Sequence, residues 1–454
     1  MTNAASGPPQ DHLVPFVLPG PVAERETLAG WTRWRQTRHA FVPAPRLDLA
    51  TYRTMSPRRR MLHDLHRAAT HANLAFQETP MSTTVARLMR SRIQNNALKR
   101  NPATRAGLMI SGGGYQGKTE TACEVAASFE DQWLDLHRNL NPEAVPGTRD
   151  LHAPVAYVQT PVTATPKSTC QAILDFYGAD HGKMTLPQLV HAVRASLHDH
   201  GTRVLLLDDI TRLRMHRADD QDVLDLIRAL MSMHVTLVLI GVDIPGSGLL
   251  REGRYDPIVS TSAHRKSDEV ATQTQRRFDL VHLDPFRYDT PAGIAAWIAH
   301  LTGLEAQLRL FEAQPGMLTD DRMPEYLFRR TDGIVGLVER LVEDGCMQAI
   351  DTGEERLTTD LLDGVESTSA TSLAGTPPPA RSRSFRPHRP RRAGRAEGGH
   401  ATRCSTTDTV HRSQPGPDGR GGTGDHASPA SAAQPGAARG RVVPWLPPPP
   451  RTPP

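Results

Sequence analysis

The stretch GLMISGGGYQGKT, residues 107–119, decides the fold of this chain. Its first five residues, Gly107–Ser111, are an apolar run with the length of a buried strand. The run TETACEVAASFEDQW, which begins at Thr119, is typical of a helix. Residues 112–119 fit the pattern G-x-x-x-x-G-K-[ST] at every specified position. A strand, this glycine-rich turn and a helix in that order predict a phosphate-binding loop.

The residue types in this loop suit the chemistry of ATP and Mg²⁺. Glycines let successive backbone N–H groups turn inward around phosphate oxygens, and a helix that starts there directs its positive end at the anion. Lys118 supplies a charge for the β- and γ-phosphates, and the Thr119 hydroxyl supplies a ligand for Mg²⁺. The alternative is a glycine-rich turn with Lys118 on the surface. The predicted ATP-binding residues of the loop are Gly112, Gly113, Gly114, Tyr115, Gln116, Gly117, Lys118, Thr119 and Glu120.

The second half of the predicted site is VLLLDD, residues 204–209. Four apolar residues indicate a buried strand, and parallel sheets bind ligands at the carboxyl ends of their strands, where the two carboxylates emerge. Asp208 is predicted to hold Mg²⁺ through water, and Asp209 to polarise the attacking water as a catalytic residue. Many ATPases of this kind have Glu at the second position, so the shorter Asp209 predicts slow hydrolysis. Taken alone, the pair also fits a strand followed by a solvated turn.

Two further signals lie downstream. Asp243 directly follows an apolar run, where a polar residue at the strand end would reach the γ-phosphate of ATP; it equally fits a simple turn before a proline. Arg276 and Arg277 precede another apolar run, and an arginine there is a candidate catalytic finger for the γ-phosphate held by a neighbouring subunit. A pair of solvated arginines is the alternative, and the sequence does not distinguish Arg276 from Arg277.

The order of these patterns predicts the fold class. Strands are predicted at Gly107–Ser111, Val155–Gln159, Val204–Leu207, Val235–Val242 and Leu280–Leu283. Helical patterns lie between them, so an α/β fold with a parallel sheet covered by helices on both faces is expected. Residues 286–365 look all-helical. The predicted divisions are a partly disordered extension (1–56), an α/β ATPase domain with leading helices (57–285), a helical lid (286–366) and a disordered Pro/Arg/Gly-rich tail (367–454).

The charge of the 454-residue chain is uneven. The tail contains 13 Arg, no Lys and 4 acidic residues, whereas residues 1–366 carry a net charge of −5. Two interpretations of the tail stay open: a basic disordered arm, or out-of-frame translation of a GC-rich gene. The sequence contains no apolar run of membrane-helix length, no secretory signal pattern and no CxxC pair among its 4 cysteines. We therefore expect a cytoplasmic protein with no membrane partner.

The loop, the acidic pair, the polar strand end, the arginines before the last strand and the helical lid together resemble an AAA+ ATPase. Residues 160–178, TPVTATPKSTCQAILDFYG, resemble the segment after the second strand in the TniB family of TnsC-like transposition ATPases. Further matching features are Trp31, Tyr52, Arg58–Arg60, His71, Pro80, the RFDLV of residues 277–281, Pro285 and Phe286. The resemblance spans roughly residues 26–365.

This resemblance implies an ATP-dependent oligomer that assembles on duplex DNA without sequence preference and acts with a separate DDE-type transposase. The sequence departs from the family at Asp209 and in the lid segment Gly333–Gly336, which lacks the usual sensor arginine; Arg340 is one turn further on. Alternatives are a nucleotide-gated protein-binding switch and a helicase-loader-like protein, both with little turnover. DNA contacts are expected from two basic stretches, one of Arg87, Arg90, Arg92, Lys99, Arg100 and Arg105, the other of Arg212, Arg214 and Arg217.

Overall fold

The computed structural model describes residues 22–101, 103–140, 152–162, 164–213, 220–247 and 275–365. Within these ranges the strands are β1 (Gly107–Gly112), β2 (Val155–Gln159), β3 (Val204–Asp208), β4 (Thr236–Gly241) and β5 (Phe278–Leu283). The helices up to β5 are α1 (Leu28–Thr37), α2 (Leu49–Thr54), α3 (Pro57–Ala72), α4 (Pro80–Ala97), α5 (Lys118–Leu140), α6 (Pro166–Phe176), α7 (Leu186–Asp199) and α8 (Asp220–Met231). After β5 follow α9 (Pro291–Glu305), α10 (Met323–Thr331), α11 (Val335–Thr352) and α12 (Thr359–Asp363).

The five strands form one parallel sheet in the order β2-β3-β4-β1-β5. This confirms the predicted α/β class. The predicted bounds of β2 are those found, and the ends of the other strands differ from the prediction by one or two residues. Because all strands run in the same direction, the glycine-rich loop after β1 and the acidic pair at the end of β3 lie at one edge of the sheet, with β4 between them.

The apolar runs form strands because both faces of the sheet are covered. Every residue of β3 and β4 is buried, whereas burial alternates toward the end of the edge strand β5. The same core includes side chains of the helices from α4 to α8. The central strands β3 and β4 are therefore covered by protein on both faces, which suits a continuous apolar run, whereas the edge strand β5 has one face partly open to solvent.

Side-chain caps fix where several helices begin. Thr79 and Ser82 form a capping box at the start of α4, and Thr165 and Ser168 form one at the start of α6, each with proline at the first position of the helix. Such boxes satisfy amide groups that a helix leaves unpaired at its first turn. The ATPK segment at Ala164–Lys167 is thus the N-terminal cap of α6.

Helix α1 packs against the helix that leaves the glycine-rich loop. Trp31 is 0% exposed, and its Nε1 donates to Glu130 Oε2 on α5 at 2.5 Å. Arg35 forms an ion pair with Asp131, and Arg38 Nη2 lies 2.7 Å from Asp131 Oδ2. Burial raises the pKa of Glu130 to about 7, against the lowering effects of the Trp31 bond and the Arg35 charge.

Residues from 286 to 365 have a second apolar core, which includes Trp297 and Leu301 of α9. Arg67 of α3, only 1% exposed, joins this region to the preceding helices. Its Nη1 donates to Glu355 Oε2 at 2.7 Å and its Nη2 to Asp64 Oδ1 at 2.7 Å. Its guanidinium carbon lies 4.2 Å from the centre of the Phe311 ring.

Several predictions concern residues outside the described ranges: the disorder of the first 21 residues and of the tail 367–454, and the DNA contacts of Arg214 and Arg217. Among the helices that the structure does describe, none combines the length and the apolar character that crossing a membrane requires.

Candidate functional site

The glycine-rich loop closes between β1 and α5. A Cβ on Gly112 would lie 2.4 Å from the Leu283 carbonyl oxygen, so only glycine fits at the end of β1. The backbone then passes through positive φ at Tyr115 (58°) and Gly117 (73°) before α5 begins at Lys118. The backbone of Tyr115 is strained, because residues other than glycine rarely adopt this left-handed conformation. These dihedrals give the loop the concave backbone that a phosphate group requires.

Lys118 is half-buried at the first turn of α5. Its Nζ donates to the Gly113 carbonyl oxygen at 2.5 Å. Burial lowers the pKa of Lys118, and the charges of Asp208 and Asp209 oppose that shift. The ammonium group of Lys118 is therefore close enough to both predicted acidic residues to interact with their charges.

Asp208 is the centre of the hydrogen-bond network. Its Oδ2 accepts from Thr119 Oγ1 at 2.7 Å and from Tyr157 Oη at 2.9 Å. Its Oδ1 accepts from the Asp209 backbone N–H at 2.8 Å. The carboxylate is 5% exposed, and burial together with the Asp208 charge raises the pKa of the Tyr157 hydroxyl. The two predicted Mg²⁺ ligands, Thr119 and Asp208, are thus in direct contact.

Asp209 has a left-handed backbone, with φ 51° and ψ 36°. Asp adopts this conformation more readily than most residues, which gives a physical reason for a short acidic side chain here. Its Oδ2 lies 2.8 Å from Arg212 Nη2 and accepts from Gln159 Nε2 at 3.4 Å. Arg212 also donates to the Thr160 carbonyl oxygen at 3.1 Å. Arg212, predicted as a DNA contact, is therefore engaged by the predicted catalytic residue.

Glu120 and Gln116 have different surroundings within the loop sequence. Both oxygens of Glu120 accept from Arg25, at 2.9 and 3.2 Å. The Arg25 guanidinium also lies over the rings of Trp34 and Tyr157, at 5.1 and 5.5 Å from their centres. Gln116 is buried, and its Oε1 has no hydrogen-bond partner among the described residues.

The helical region after β5 touches the loop through α11. The Gly336 backbone N–H donates to the Tyr115 carbonyl oxygen at 2.8 Å. Burial, reinforced by the charge of Glu120, raises the pKa of Glu339 on α11 to about 7. Arg340 is exposed and lies 3.7 Å from Asp344 on the same helix. At this end of α11 a carboxyl group, and not an arginine, is coupled electrostatically to the loop helix.

The remaining predicted residues are not joined to this network. Asp243 is exposed, has φ 44°, and accepts from the Gly246 N–H at 3.1 Å, so its carboxylate caps its own turn. Arg276 and Arg277 form a short 3₁₀ turn just before β5, and both are exposed. In the pairing of β1 with β5, Gly107 is opposite Phe278 and Gly112 opposite Leu283, so both arginines lie at the amino ends of the strands.

Three residues of the network were not predicted from the sequence. Tyr157 and Gln159 lie in a strand whose sequence, VAYVQ, shows only that it is buried. Arg25 precedes α1 and is 95 residues from its partner Glu120. Alternation along β2 places Tyr157 and Gln159 on the same face, which is the one signal that could have linked them.

The residues present fit a nucleotide with Mg²⁺. A hydroxyl and a carboxylate in contact at 2.7 Å supply the hard oxygen ligands that Mg²⁺ uses together with water and phosphate. The loop supplies inward-turning amides, and Lys118 supplies the charge. Thr119 and Asp208 would hold the metal ion, whose chemistry there is to neutralise charge on the phosphates.

The parallel sheet and the glycine-rich loop match the α/β fold of an AAA+ P-loop NTPase. The particular domain follows from a family comparison, in which residues 103–244 match the model described as an AAA domain. The matched range contains the loop, the acidic pair and β1 to β4. No curated protein gave a significant match.

Three solved structures illustrate the similarity of fold. The Orc1 protein of Aeropyrum pernix, in complex with DNA, has a TM-score of 0.46 and 14% identity, with 66% of this chain and 68% of that chain covered. Cdc6p from Pyrobaculum aerophilum has a TM-score of 0.39 and 12% identity, with 62% and 65% covered. Domain III of the replication initiation protein DnaA from Thermotoga maritima has a TM-score of 0.35 and 13% identity, with 64% and 95% covered. The chain spans about two thirds of the first two proteins.

Proposed function

We propose that this protein binds and hydrolyses ATP with Mg²⁺, assembles on duplex DNA as an oligomer, and regulates transposition with a separate DDE-type transposase in the cytoplasm. The observation that carries the proposal is the contact of Thr119 Oγ1 with Asp208 Oδ2 at 2.7 Å, beside the half-buried Lys118. This arrangement pairs a metal-binding hydroxyl with a metal-binding carboxylate at the mouth of the loop.

Each residue then has a chemical task. Lys118 and the loop amides bind the β- and γ-phosphates, and Thr119 and Asp208 hold Mg²⁺. Asp209 orients the attacking water. Residues 57–285 form the nucleotide-binding domain and 286–366 the lid in this proposal, and Gly336 is the point where the lid touches the loop.

The proposed finger must act between subunits. Along β1, the five residue-to-residue steps from Gly107 to Gly112 span about 16 Å at roughly 3.3 Å per residue. Arg276 and Arg277 lie beside the Gly107 end, whereas the loop follows the Gly112 end. That separation exceeds the length of an arginine side chain, so either residue would meet the γ-phosphate of a neighbouring copy only. ATP-dependent assembly follows from such an arrangement.

The transposition partner rests on the resemblance of residues 160–178 and 277–281 to TniB-family proteins. The test is ATP hydrolysis by the full chain, with and without duplex DNA, for wild type, Lys118→Ala and the control Lys183→Ala. Lys183 is an exposed lysine between α6 and α7, outside the segment 160–178. We expect slow, DNA-stimulated turnover that Lys118→Ala abolishes and Lys183→Ala leaves unchanged. Turnover that survives Lys118→Ala would contradict the proposed site, and the absence of DNA stimulation would contradict the transposition role.

A second candidate function is a nucleotide-gated switch with little turnover. The observation that favours it is the ion pair of Asp209 with Arg212 at 2.8 Å, which occupies the carboxylate that would orient water. If the switch interpretation holds, wild type binds ATP without measurable turnover, and Arg212→Ala raises turnover by freeing Asp209. Equal turnover in wild type and Arg212→Ala would show that this ion pair does not limit hydrolysis.

A further inference from the structure

A basic cavity lies at the edge of the sheet opposite the nucleotide loop. Its volume is about 710 Å³, and its lining includes the residues just before β3 and β4 and the ends of α4 and α7. Five Lys and Arg side chains line it, together with three histidines and one acidic residue, Asp199. The five cations are Lys99, Arg100, Arg105, Arg194 and Arg203. Only the fold brings them together, because they come from two segments about a hundred residues apart.

Among the residues that the structure describes, these cations have no carboxylate partners. Within the described ranges none of the five forms a salt bridge with Asp or Glu. The buried Arg105 donates to the carbonyl oxygens of Lys99 and Asn101, at 2.8 and 3.2 Å. Arg194 donates to Ser232 Oγ at 3.4 Å, and the Arg203 guanidinium lies 5.8 Å from the Trp133 ring centre. All of these partners are neutral.

The cations also repel one another. Burial and the neighbouring charge of Arg105 lower the pKa of Arg203. Arg105 is 6% exposed and Arg203 is half-buried, whereas Lys99, Arg100 and Arg194 are exposed at the rim. A partly buried set of like charges is stabilised by an anion that supplies the missing counter-charge. The surrounding chain is acidic, with a net charge of −5 over residues 1–366, so this concentration of positive charge is local.

We propose that this cavity binds phosphate groups of the duplex DNA backbone. The choice of DNA as the polyanion rests on the proposed function; the cavity itself is argued from its five cations. The cavity is larger than a single phosphate needs, and three of its five cations are exposed, where the phosphates of a strand can reach them. It lies at the amino ends of the strands, so DNA and nucleotide would bind at opposite edges of one sheet without competing.

The structure also divides the basic stretch that the sequence suggested. Arg92 forms an ion pair with Asp279 and is neutralised. Arg87 and Arg90 are exposed on α4 and do not line the cavity. Lys99 and Arg100 do line it, together with Arg194, which the sequence did not single out.

The test measures binding of a random-sequence duplex by the full chain between 50 and 300 mM salt. The variant is Lys99→Gln/Arg100→Gln/Arg194→Gln, which leaves the structural Arg105 in place. The control, Arg53→Gln/Lys183→Gln/Arg322→Gln, removes the same charge from exposed positions outside the cavity and outside both predicted basic stretches. Each phosphate contact contributes about 0.9 to the steepness of log K plotted against log salt. The variant, which loses three cations, is therefore expected to make this slope shallower by about 3 and to weaken binding at least ~10-fold at 100 mM salt. The control is expected to change the slope by less than about 1.

The outcomes separate this proposal from the proposed function. If the variant and the control bind DNA equally well, the cavity proposal is overturned, while DNA-stimulated hydrolysis by the same proteins would leave the proposed function standing. If wild type binds no duplex at 50 mM salt, both are overturned. If excess inorganic phosphate at constant ionic strength displaces the duplex from wild type and not from the variant, the cavity recognises phosphate itself.

Discussion

Replacement of the buried carboxyl of Glu130 by an amide should change how the stability of this protein depends on pH. Glu130 is 2% exposed, accepts from Trp31 Nε1 at 2.5 Å, and has a pKa raised by burial from 4.5 to about 7. Below pH 4.5 the group is neutral in both the folded and the unfolded chain. As pH rises toward 7, the unfolded chain loses the proton first, so the folded state loses stability.

The size of the effect follows from the two pKa values. A difference of 2.5 units at 1.36 kcal/mol per unit gives about 3 kcal/mol in full, of which about 2.5 kcal/mol is lost between pH 5 and 8. Glu130→Gln keeps an oxygen that accepts the bond from Trp31 and cannot ionise. The stability of the variant relative to wild type is therefore expected to increase by about 2.5 kcal/mol from pH 5 to pH 8.

The assay is urea unfolding at pH 5, 6, 7 and 8, followed by the fluorescence of the 5 tryptophans, which include Trp31. Glu124→Gln is the matched control, since it removes one carboxylate from the same helix at a side chain that is 32% exposed. Parallel stability curves for wild type and Glu130→Gln across this pH range would refute the reasoning. The same curves would then place an ionised Glu130 in the folded state, paired with Arg35.

Three more predictions concern other buried contacts. His300 is 5% exposed, and burial lowers its pKa to about 4. The stability that comes from keeping its imidazole neutral is therefore present above pH 6.5 and is lost as pH falls toward 4. In urea titrations the variant His300→Phe, which has no group to protonate, should lose about 3 kcal/mol less stability than wild type between pH 7 and 4, and an equal loss in both proteins would contradict this. Arg67→Met should destabilise the protein by about 3 kcal/mol because it removes the ion-pair partner of the largely buried Glu355, whose remaining hydrogen-bond donor among the described residues is the Phe311 backbone N–H. Adding Glu355→Gln should recover part of that loss, and no recovery in the double variant would count against the pairing. Gly336→Ala would place a Cβ 2.9 Å from the Tyr115 carbonyl oxygen, so it should weaken nucleotide binding in a fluorescent-nucleotide titration, whereas unchanged or tighter binding would show that α11 does not press on the loop.

The parts of the site that are local in sequence were predictable. The loop from Gly112 to Thr119 is a continuous motif, and each strand is a run of apolar residues whose burial on both faces follows from its composition. Asp208 was predictable because it ends such a run. Its partner Tyr157 was not, because the two residues are 51 positions apart and a tyrosine in a buried strand has the same sequence signature as any core residue.

Two side-chain contacts near the site were not predictable from the sequence. Arg212, predicted to contact DNA, lies three residues from Asp209, and the 3₁₀ turn between them brings the two charged groups to 2.8 Å. Asp243, predicted to reach the γ-phosphate, accepts from the Gly246 N–H of its own turn, and both roles stay predictions. Both outcomes depend on local dihedrals, the positive φ values of these two Asp residues, which composition and periodicity do not specify.

The sequence by itself determined the fold class, the nucleotide loop and the order of strands and helices, because these depend on short-range patterns of glycine, apolar and helix-forming residues. The tertiary structure alone decided which distant side chains meet: Arg25 with Glu120, Tyr157 with Asp208, and Arg194 with Lys99 around one cavity. The physical reason is that a parallel sheet brings together the ends of strands that are far apart in the chain. The partners at each edge are therefore set by strand order, β2-β3-β4-β1-β5, and not by distance along the sequence.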